Sequence, residues 1–305
     1  MGSVFVLGSI NQDYVLVVDR RPGAGETVTG ATLDMRPGGK GANQAVAAAA
    51  RGATVTLLAR VGDDAAATTQ RRDLSARGVD VALVMETTGA ATGSAFITVT
   101  PDGENSVTVA PGANGMLRAG DIDGAADLIA ASSVLVAQLE VPLVAVAEAI
   151  ARCGPHTHVL LNAAPPGPLP GSLLEKVDTL VVNEHEAASL VGAPVVGVSG
   201  AHEAAAALRD GGPRTVVVTL GSLGAVVDEP GGSTHVRAPS VDVVDTTGAG
   251  DVFVGTLAAA LAERQPLDRA VVMAVERASA SVAWAGARSS VASTPGSRRR
   301  RRSRR

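Results

Sequence analysis

One carboxylate of this chain stands inside a turn of small residues that suits an anion. The segment Asp245–Asp251 reads Asp-Thr-Thr-Gly-Ala-Gly-Asp, after a predicted strand at Val241–Val244 and before an apolar helical run from Val252. The unpaired backbone N–H groups of such a turn, with the helix dipole, favour a negatively charged phosphoryl group. Asp251 is itself negative, so we interpret it as a general base. A turn that needs glycine only for its backbone is the alternative.

A second glycine-rich string offers donors and acceptors for hydroxyl groups. Residues 37–45 read Pro-Gly-Gly-Lys-Gly-Ala-Asn-Gln-Ala and lead into an Ala-rich helix. The glycines let backbone approach a ligand closely, while Lys40 and Asn43 supply the polar atoms that sugar hydroxyls need. The chain has only one other lysine, Lys176. Lysine is therefore rare in this sequence, and its presence at position 40 is informative.

Asn11 and Asp13 follow a further apolar segment, Val4–Ile10, which we predict to be a buried strand that they close. Open α/β sheets bind ligands at the carboxyl ends of their strands, so both side chains are candidates for a binding site. An ordinary turn stabilised by Asn and Asp side chains is the alternative.

Apolar strands alternate with helices through most of the sequence. This pattern predicts an α/β fold with a mainly parallel sheet covered by helices on both faces. The predicted strands are Val4–Ile10, Val55–Val61, Val134–Gln138, His158–Asn162, Leu180–Asn183 and Thr215–Leu220. The predicted helices are Gly41–Arg51, Ala65–Arg77, Leu143–Arg152, Glu184–Val191 and Ala201–Arg209. Two segments, about 14–36 and 94–110, instead show apolar/polar alternation and predict a small separate antiparallel sheet.

Bulk composition excludes several classes of protein. Aromatic residues make up 2% of the chain, too few for a platform that stacks single-stranded nucleic acid. No apolar run reaches the roughly 18 residues of a membrane helix, and the N-terminus lacks a signal-peptide pattern. One cysteine, Cys153, fits a reducing compartment. We therefore expect a soluble cytoplasmic protein without a membrane or a specific nucleic-acid partner.

The last eight residues differ from the rest of the chain. Net charge is −4, but residues 298–305 comprise seven arginines and one serine. A block of like charges predicts a solvated, disordered tail. We expect a single domain over residues 1–297 before it.

Four strings together resemble the ribokinase-like (PfkB) carbohydrate kinases, over about residues 4–291. They are Gly-Ser-Ile-Asn-x-Asp at 8–13, the string at 37–45, Gln-Leu-Glu-x-Pro at 138–142 and the turn at 245–251. The resemblance, nearest to the ribose branch, implies ATP-dependent phosphorylation of D-ribose to D-ribose 5-phosphate. It also implies a three-layer αβα, Rossmann-like sandwich, in which the small sheet is a lid over the sugar and the contact of a homodimer.

The same resemblance implies roles for individual residues. Asp251 would be the base, and the amides of Gly248, Ala249 and Gly250 would stabilise the transferring phosphoryl group. The sugar would be held by Asn11, Asp13, Gly39, Lys40, Asn43, Glu140 and Asp251. ATP, with Mg²⁺ held through water, would be bound by Asn183, Glu186, Thr219, Gly221, Ser222, Gly224, Gly250 and Val275. An activating K⁺ would be bound by Asp245, Thr247, Ser281, Trp284, Gly286 and Ser290.

Structural interpretations stay open for some of these residues. Glu140, Asn183 and Glu186 stand at predicted helix starts, where carboxylates and Asn are common without a function. Asp245 alternatively caps its own turn.

The C-terminal region departs from the family pattern. Val275 stands where the family usually has Asn or His, and Trp284 stands where Arg is common. Two other functions stay open beside ribose phosphorylation. One is a kinase of another sugar or a nucleoside, and the other is a non-catalytic sugar-binding regulatory protein.

Overall fold

The computed structural model describes residues 2–102, 105–284 and 286–288, so the tail expected at 298–305 lies outside the described residues. The strands are β1 (Ser3–Leu7), β2 (Asn11–Val17), β3 (Thr32–Gly38), β4 (Thr54–Gly62), β5 (Val79–Asp80), β6 (Val84–Thr87), β7 (Gly93–Val99), β8 (Asn105–Ala110), β9 (Val134–Gln138), β10 (His158–Asn162), β11 (Thr179–Asn183), β12 (Thr215–Thr219), β13 (Ala225–Glu229) and β14 (Gly232–Val236). The helices are α1 (Lys40–Ala50), α2 (Ala65–Ala76), α3 (Gly120–Asp123), α4 (Ala126–Ala131), α5 (Leu143–Ala151), α6 (Gly171–Leu174), α7 (Glu184–Val191), α8 (Gly197–Asp210), α9 (Ala249–Ala262) and α10 (Leu267–Ser281).

Within the described residues the main sheet has ten strands. Their order is β14-β13-β12-β11-β10-β9-β1-β4-β5, and β6 also pairs with β4. All neighbours from β12 to β5 run parallel, while β13 and β14 extend one edge antiparallel. The predicted, mainly parallel sheet is confirmed, and the strands at 134–138 and 158–162 have the predicted bounds.

Alternate residues of the central strands pack on opposite faces of this sheet, as the two-residue period of a strand requires. In β1, Val4 and Val6 join the core beside α1, α9 and α10, while Phe5 and Leu7 join the core beside α5 and α8. Both faces are buried, which explains why the strands are continuously apolar. The predicted three-layer αβα sandwich is confirmed.

The smaller sheet, here called the lid, has the order β3-β2-β7-β8. Its pairs β2–β3 and β7–β8 are antiparallel, but β2 and β7 are parallel, so the prediction of an antiparallel sheet is wrong at its centre. Since β2 follows β1 and β7 follows β6, both leave the same edge of the main sheet in the same direction. Asn11 and Asp13 lie on β2, so the prediction that they close the first strand is also wrong, because that strand ends at Leu7.

The strand predicted at Val241–Val244 does not form. The backbone amides of Val244 and Asp245 donate instead to the carbonyl oxygen of Val282 after α10, at 2.7 and 3.0 Å. Hydrogen bonds to a helix end thus replace those of a sheet, and Val243 and Val244 stay exposed. In the described ranges, no helix combines the length and apolar character needed to span a membrane.

Candidate active site

Close packing of α1 against α9 builds the centre of the site. A Cβ atom on Gly255 of α9 would lie 2.3 Å from the carbonyl oxygen of Gln44 on α1, so this approach requires glycine. The Asn43 amide consequently donates to Asp251 Oδ2 at 2.9 Å, and the Gln44 amide donates to Asp251 Oδ1 at 3.0 Å. Both oxygens of the predicted base are therefore fixed by side-chain donors.

A buried chain of amides holds Gln44 in turn. Gln138, at the end of β9, donates to Gln44 Oε1 at 2.6 Å, and Gln44 Nε2 also donates to Asn162 Oδ1, at the end of β10, at 3.0 Å. Gln44 and Gln138 are fully buried. The sequence analysis missed all three residues. A polar residue at the end of a buried strand is the signal that could have identified Gln138 and Asn162.

Lys40 lies among several carboxylates. It is the first residue of α1 and lines the same cleft as Asp251. Burial disfavours its ammonium, but nearby carboxylates outweigh that cost and hold the pKa of Lys40 above its ordinary value. In falling order of effect, they belong to Asp251, Glu140, Glu186 and Asp13. Lys40 is therefore a fixed positive charge in the cleft.

Two carboxyl groups of the site are made less acidic by their surroundings. Desolvation raises the pKa of Asp251, and Lys40 only partly opposes that effect. Desolvation, followed by the negative charge of Glu140, raises the pKa of Asp13 to about 7. Asp251 is thus a stronger base than a free aspartate, and Asp13 titrates near neutral pH.

The junction between the lid and α1 is tightly packed. Gly39 has a φ of 91°, and a Cβ atom there would lie 2.6 Å from the amide nitrogen of Asn11, so the position requires glycine. Asn114, which the sequence analysis missed, donates to Asn11 Oδ1 at 2.7 Å and accepts from the Ile10 amide at 3.0 Å. The predicted sugar ligand Asn11 is therefore held in one orientation.

Glu140 precedes α5 but contacts the N-terminus of a different helix, α1. Its Oε2 atom accepts from the Ser9 hydroxyl at 2.5 Å and from the Lys40 backbone amide, the first of α1, at 3.1 Å. Its negative charge complements the positive end of α1. Glu140 thus has a structural role, and its contact with sugar stays a prediction.

The turn before α9 leaves room for an anion. Gly248 is the N-cap of α9 with a φ of 77°, and a Cβ atom on Gly250 would meet no atom within 4 Å. Both glycines line the cleft that holds Asp251. The Ala249 amide, however, donates to the Thr246 carbonyl at 3.2 Å. Gly248 and Gly250 are therefore better placed for a phosphoryl group than the third predicted amide.

Asn183 and Glu186 line this cleft together with Thr219. They also form a capping box of α7, because the side chain of each accepts from the backbone amide of the other at 2.8 Å. No group of three or more His, Cys, Asp or Glu side chains within the described residues could hold a metal ion directly. A Mg²⁺ ion near this pair would take its ligands from water and phosphate.

The remaining predicted nucleotide residues fall into two groups. Gly221 and Ser222 are exposed, and a Cβ atom on Gly221 would meet no atom within 4 Å. Gly224 has a φ of 98°, and a Cβ atom there would lie 2.0 Å from the Val236 carbonyl oxygen. Val275 is buried in the core. Gly224 and Val275 thus support the loop and the helix from inside the protein.

The predicted cation residues Asp245, Thr247 and Gly286 lie together. The Gly286 amide donates to Asp245 Oδ2 at 2.9 Å, and the Thr247 amide donates to Oδ1 at 2.8 Å. Arg36, on the lid strand β3, lies 3.3 Å from the same Oδ2 atom. Asp245 therefore caps its turn, as the alternative interpretation holds, and also has a cationic partner within the chain.

The other predicted cation residues are placed less uniformly. Ser281 is buried at the end of α10, where its hydroxyl donates to the Ala278 carbonyl at 2.7 Å. The Trp284 side chain is exposed. Ser290 lies outside the described residues.

Comparisons with known proteins give matches over nearly the whole chain. The model of the pfkB family carbohydrate kinases matches residues 1–294. A ribokinase of Haemophilus influenzae is 39% identical over 288 residues, which cover 94% of each chain. A deoxyribokinase of Salmonella typhi is 37% identical over 289 residues, also 94% of each chain. The structure of an Arabidopsis thaliana ribokinase complexed with ribose and ATP has a TM-score of 0.86 at 29% identity, covering 95% of this chain and 96% of that one.

Proposed function

Because the chain belongs to the pfkB family of carbohydrate kinases, we propose that it transfers the terminal phosphoryl group of ATP to the 5-hydroxyl of D-ribose. The product is D-ribose 5-phosphate. The observation that carries this proposal is the buried Asp251 carboxylate, held by Asn43 and Gln44 at the N-terminus of α9. The relative named a ribokinase, 39% identical to this chain, supports ribose as the acceptor.

Asp251 acts as the general base. The attacking hydroxyl gives its proton to the carboxylate while its oxygen forms the new bond to phosphorus and ADP leaves. Phosphoryl transfer depends mainly on positioning and on charge stabilisation. Lys40 and the amides of Gly248 and Gly250 supply that charge stabilisation, with Ala249 shaping the turn between them.

The sugar lies between the lid and α1. Its hydroxyls are held by side chains that combine carboxylate acceptors with amide and ammonium donors. These are Asn11, Asp13, Lys40, Asn43 and Glu140, with the backbone of Gly39. The fixed orientations of Asn11 and Asn43 support this role.

ATP lies along Asn183, Glu186 and Thr219, which line the cleft, and extends to Gly221 and Ser222, which are exposed on the turn after β12. Asn183 and Glu186 would hold Mg²⁺ through water. When bound, the ion neutralises charge on the phosphate oxygens. Gly224 and Val275 do not contact ATP but support the loop and the helix beside it.

An alkali ion, K⁺, activates the enzyme. Asp245 and carbonyl oxygens near Thr247, Ser281, Trp284 and Gly286 would hold it, with Ser290 predicted as a further ligand. The hydrogen bond from Gly286 to Asp245 supports the site, because it joins the two loops that would surround the ion. Arg36 lowers the affinity for the ion, because its positive charge lies beside the same Asp245 carboxylate.

The protein acts as a homodimer joined through the lid. Leu33, Met35 and Val107 of the lid have exposed fractions of 54%, 62% and 54%, and exposed apolar groups of this kind are typical of protein contacts. We place the enzyme in the cytoplasm, in keeping with its single cysteine.

A panel of acceptors tests the substrate. The relative named a deoxyribokinase, 37% identical, makes 2-deoxy-D-ribose the main competitor. The lid carries a stacked pair of aromatic rings, Tyr14 and Phe96, so a nucleoside is a further competitor. ADP release at saturating Mg·ATP and K⁺ should give the highest kcat/KM with D-ribose. A higher value with deoxyribose or a nucleoside would change the acceptor, and ribose binding by calorimetry without ADP release would favour a non-catalytic protein.

A further inference from the structure

A buried arginine connects the lid, α2 and Asn43. The Arg288 side chain is 3% exposed. Its Nε donates to Asn43 Oδ1 at 2.8 Å, and its Nη2 donates at 2.7 Å to the carbonyl oxygen of Gly38, the last residue of lid strand β3. Its Nη1 donates to Gln70 Oε1 at 3.1 Å and to Asp73 Oδ2 at 2.8 Å on α2. One side chain thus joins three elements around the sugar side of the site.

The contacts with Arg288 and with Asp251 require the same orientation of the Asn43 amide. A guanidinium can only donate, so the amide atom that faces Arg288 has to be Oδ1. Nδ2 then points at Asp251, where it donates at 2.9 Å. The Asp251 carboxylate can only accept and so favours the same orientation, but without Arg288 the Asn43 amide loses the charged donor on its Oδ1 atom and one of the two contacts that hold it.

We propose that Arg288 is a positioning residue of the phosphoryl transfer reaction. It fixes the Asn43 donor on the base Asp251 and fastens Asn43 to the end of lid strand β3. This inference rests on the proposed function, because it assigns Arg288 an effect on the base of that reaction.

Arg77 provides a matched control. It pairs with Asp73 at 2.8 Å, and its Nη1 donates to the Arg288 carbonyl oxygen at 3.0 Å. Arg77 therefore anchors the same C-terminal segment and the same carboxylate, but its hydrogen bonds do not include Asn43. In the Arg288 variants the Asp73 carboxylate still forms its ion pair with Arg77. Loss of Arg288 therefore leaves that carboxylate with a cationic partner.

A double-mutant cycle on kcat tests the proposal, using the acceptor that the wild type phosphorylates fastest. We expect Arg288→Met to lower kcat by about tenfold, within the range found for coupled neighbours. The double variant with Asn43→Ala should be no slower than Asn43→Ala alone, and Arg77→Met should stay within about twofold of the wild type. If Arg288→Met does not fold, Arg288→Lys replaces it in the cycle, with a smaller loss and the same lack of additivity.

Two results would overturn the inference while the wild type remains active. One is that the losses of the single variants multiply in the double variant. The other is that Arg77→Met is as slow as Arg288→Met, which would assign Arg288 only a structural role. A wild type that phosphorylates another sugar but not ribose contradicts the proposed function, and the cycle is then run on that sugar. A wild type that phosphorylates no acceptor overturns both.

Discussion

The two sides of the cleft are held in different ways. On the sugar side, the side chains of Asn11, Asn43 and Asp251 are buried, and each is fixed by another buried side chain. On the nucleotide side, Gly221 and Ser222 are exposed at a short turn after β12. The proposed sugar side is thus organised before substrate binds, whereas the exposed turn of the proposed nucleotide side offers mainly backbone. Side-chain substitutions should therefore have large effects on the first side and small effects on the second.

Replacing the base should have the largest effect. Asp251→Asn keeps the size of the side chain but cannot take a proton, so kcat should fall by about 10² to 10⁴ fold. Ribose should still bind, because the sugar contacts of Asn11, Asp13 and Lys40 stay in place. ADP release gives kcat, and calorimetry gives the ribose affinity. An unchanged kcat would remove Asp251 from the mechanism.

Asp13 makes the sugar side depend on pH. Desolvation and Glu140 raise its pKa to about 7, Asp251 adds to this, and Arg288 and Arg36 act in the opposite direction. An ionised carboxylate accepts hydrogen bonds from hydroxyls more strongly than a neutral one. Between pH 6 and pH 8 the ionised fraction rises about tenfold, so KM for ribose should fall about tenfold. KM for ATP over the same interval is the internal control.

The variant Asp13→Asn should bind ribose more weakly and lose this pH dependence. Because the pKa of Asp13 is raised in the folded state, its stabilising effect is complete below the ordinary value near 3.8 and is lost as pH rises through about 7. The free energy of unfolding should therefore fall less in Asp13→Asn than in the wild type between pH 4 and pH 7. The same slope in both proteins would contradict the assignment.

The sequence predicted the parts of the site that depend on local pattern. The alternation of apolar strands with helices predicted the main sheet. The glycine-rich strings at 37–45 and 245–251 identified Lys40, Asn43 and Asp251 as candidate site residues. It failed at Val241–Val244, where an apolar run takes its hydrogen bonds from a helix end. Apolar character shows that a segment can pair as a strand, but not whether a partner strand is available.

The residues that orient the site could not be predicted in the same way. Asn114 is 103 residues from Asn11, and Arg288 is 245 residues from Asn43. Their roles depend on contacts that only the folded topology creates. Arg288 lies between the predicted cation residues Gly286 and Ser290, but that pattern does not point to a contact with Asn43. Gln44 stood inside a recognised string, but its contact with Asp251 follows from the packing of Gly255 against α1.

The dependence of kcat on K⁺ tests whether a bound ion stabilises the conformation of the turn before α9. K⁺ should raise kcat several-fold over Na⁺ at equal ionic strength, because it would fix the backbone of residues 246–250. Asp245→Ala should remove most of that difference. Arg36→Met should enlarge it at low K⁺ concentration, since Arg36 then no longer shares the Asp245 carboxylate. Equal rates in K⁺ and Na⁺ would discard the cation site and leave the kinase assignment unchanged.

One substitution, made on both sides of the cleft, should give the smallest effects and the most direct comparison. Ser9 is buried and donates to Glu140 Oε2, while Ser222 is exposed at the nucleotide turn. Ser9→Ala should destabilise the protein by about 1 to 3 kcal/mol, because Glu140 loses a charge-assisted hydrogen bond. It should also raise KM for ribose a few-fold.

Ser222→Ala should change stability by less than about 0.5 kcal/mol and KM for ATP by less than about twofold, as is usual at exposed positions. Thermal unfolding and steady-state kinetics measure both variants under identical conditions. A fivefold rise in KM for ATP in Ser222→Ala would show that the hydroxyl itself binds the nucleotide. The two sides of the cleft would then differ in exposure, but both would bind their substrate through side chains.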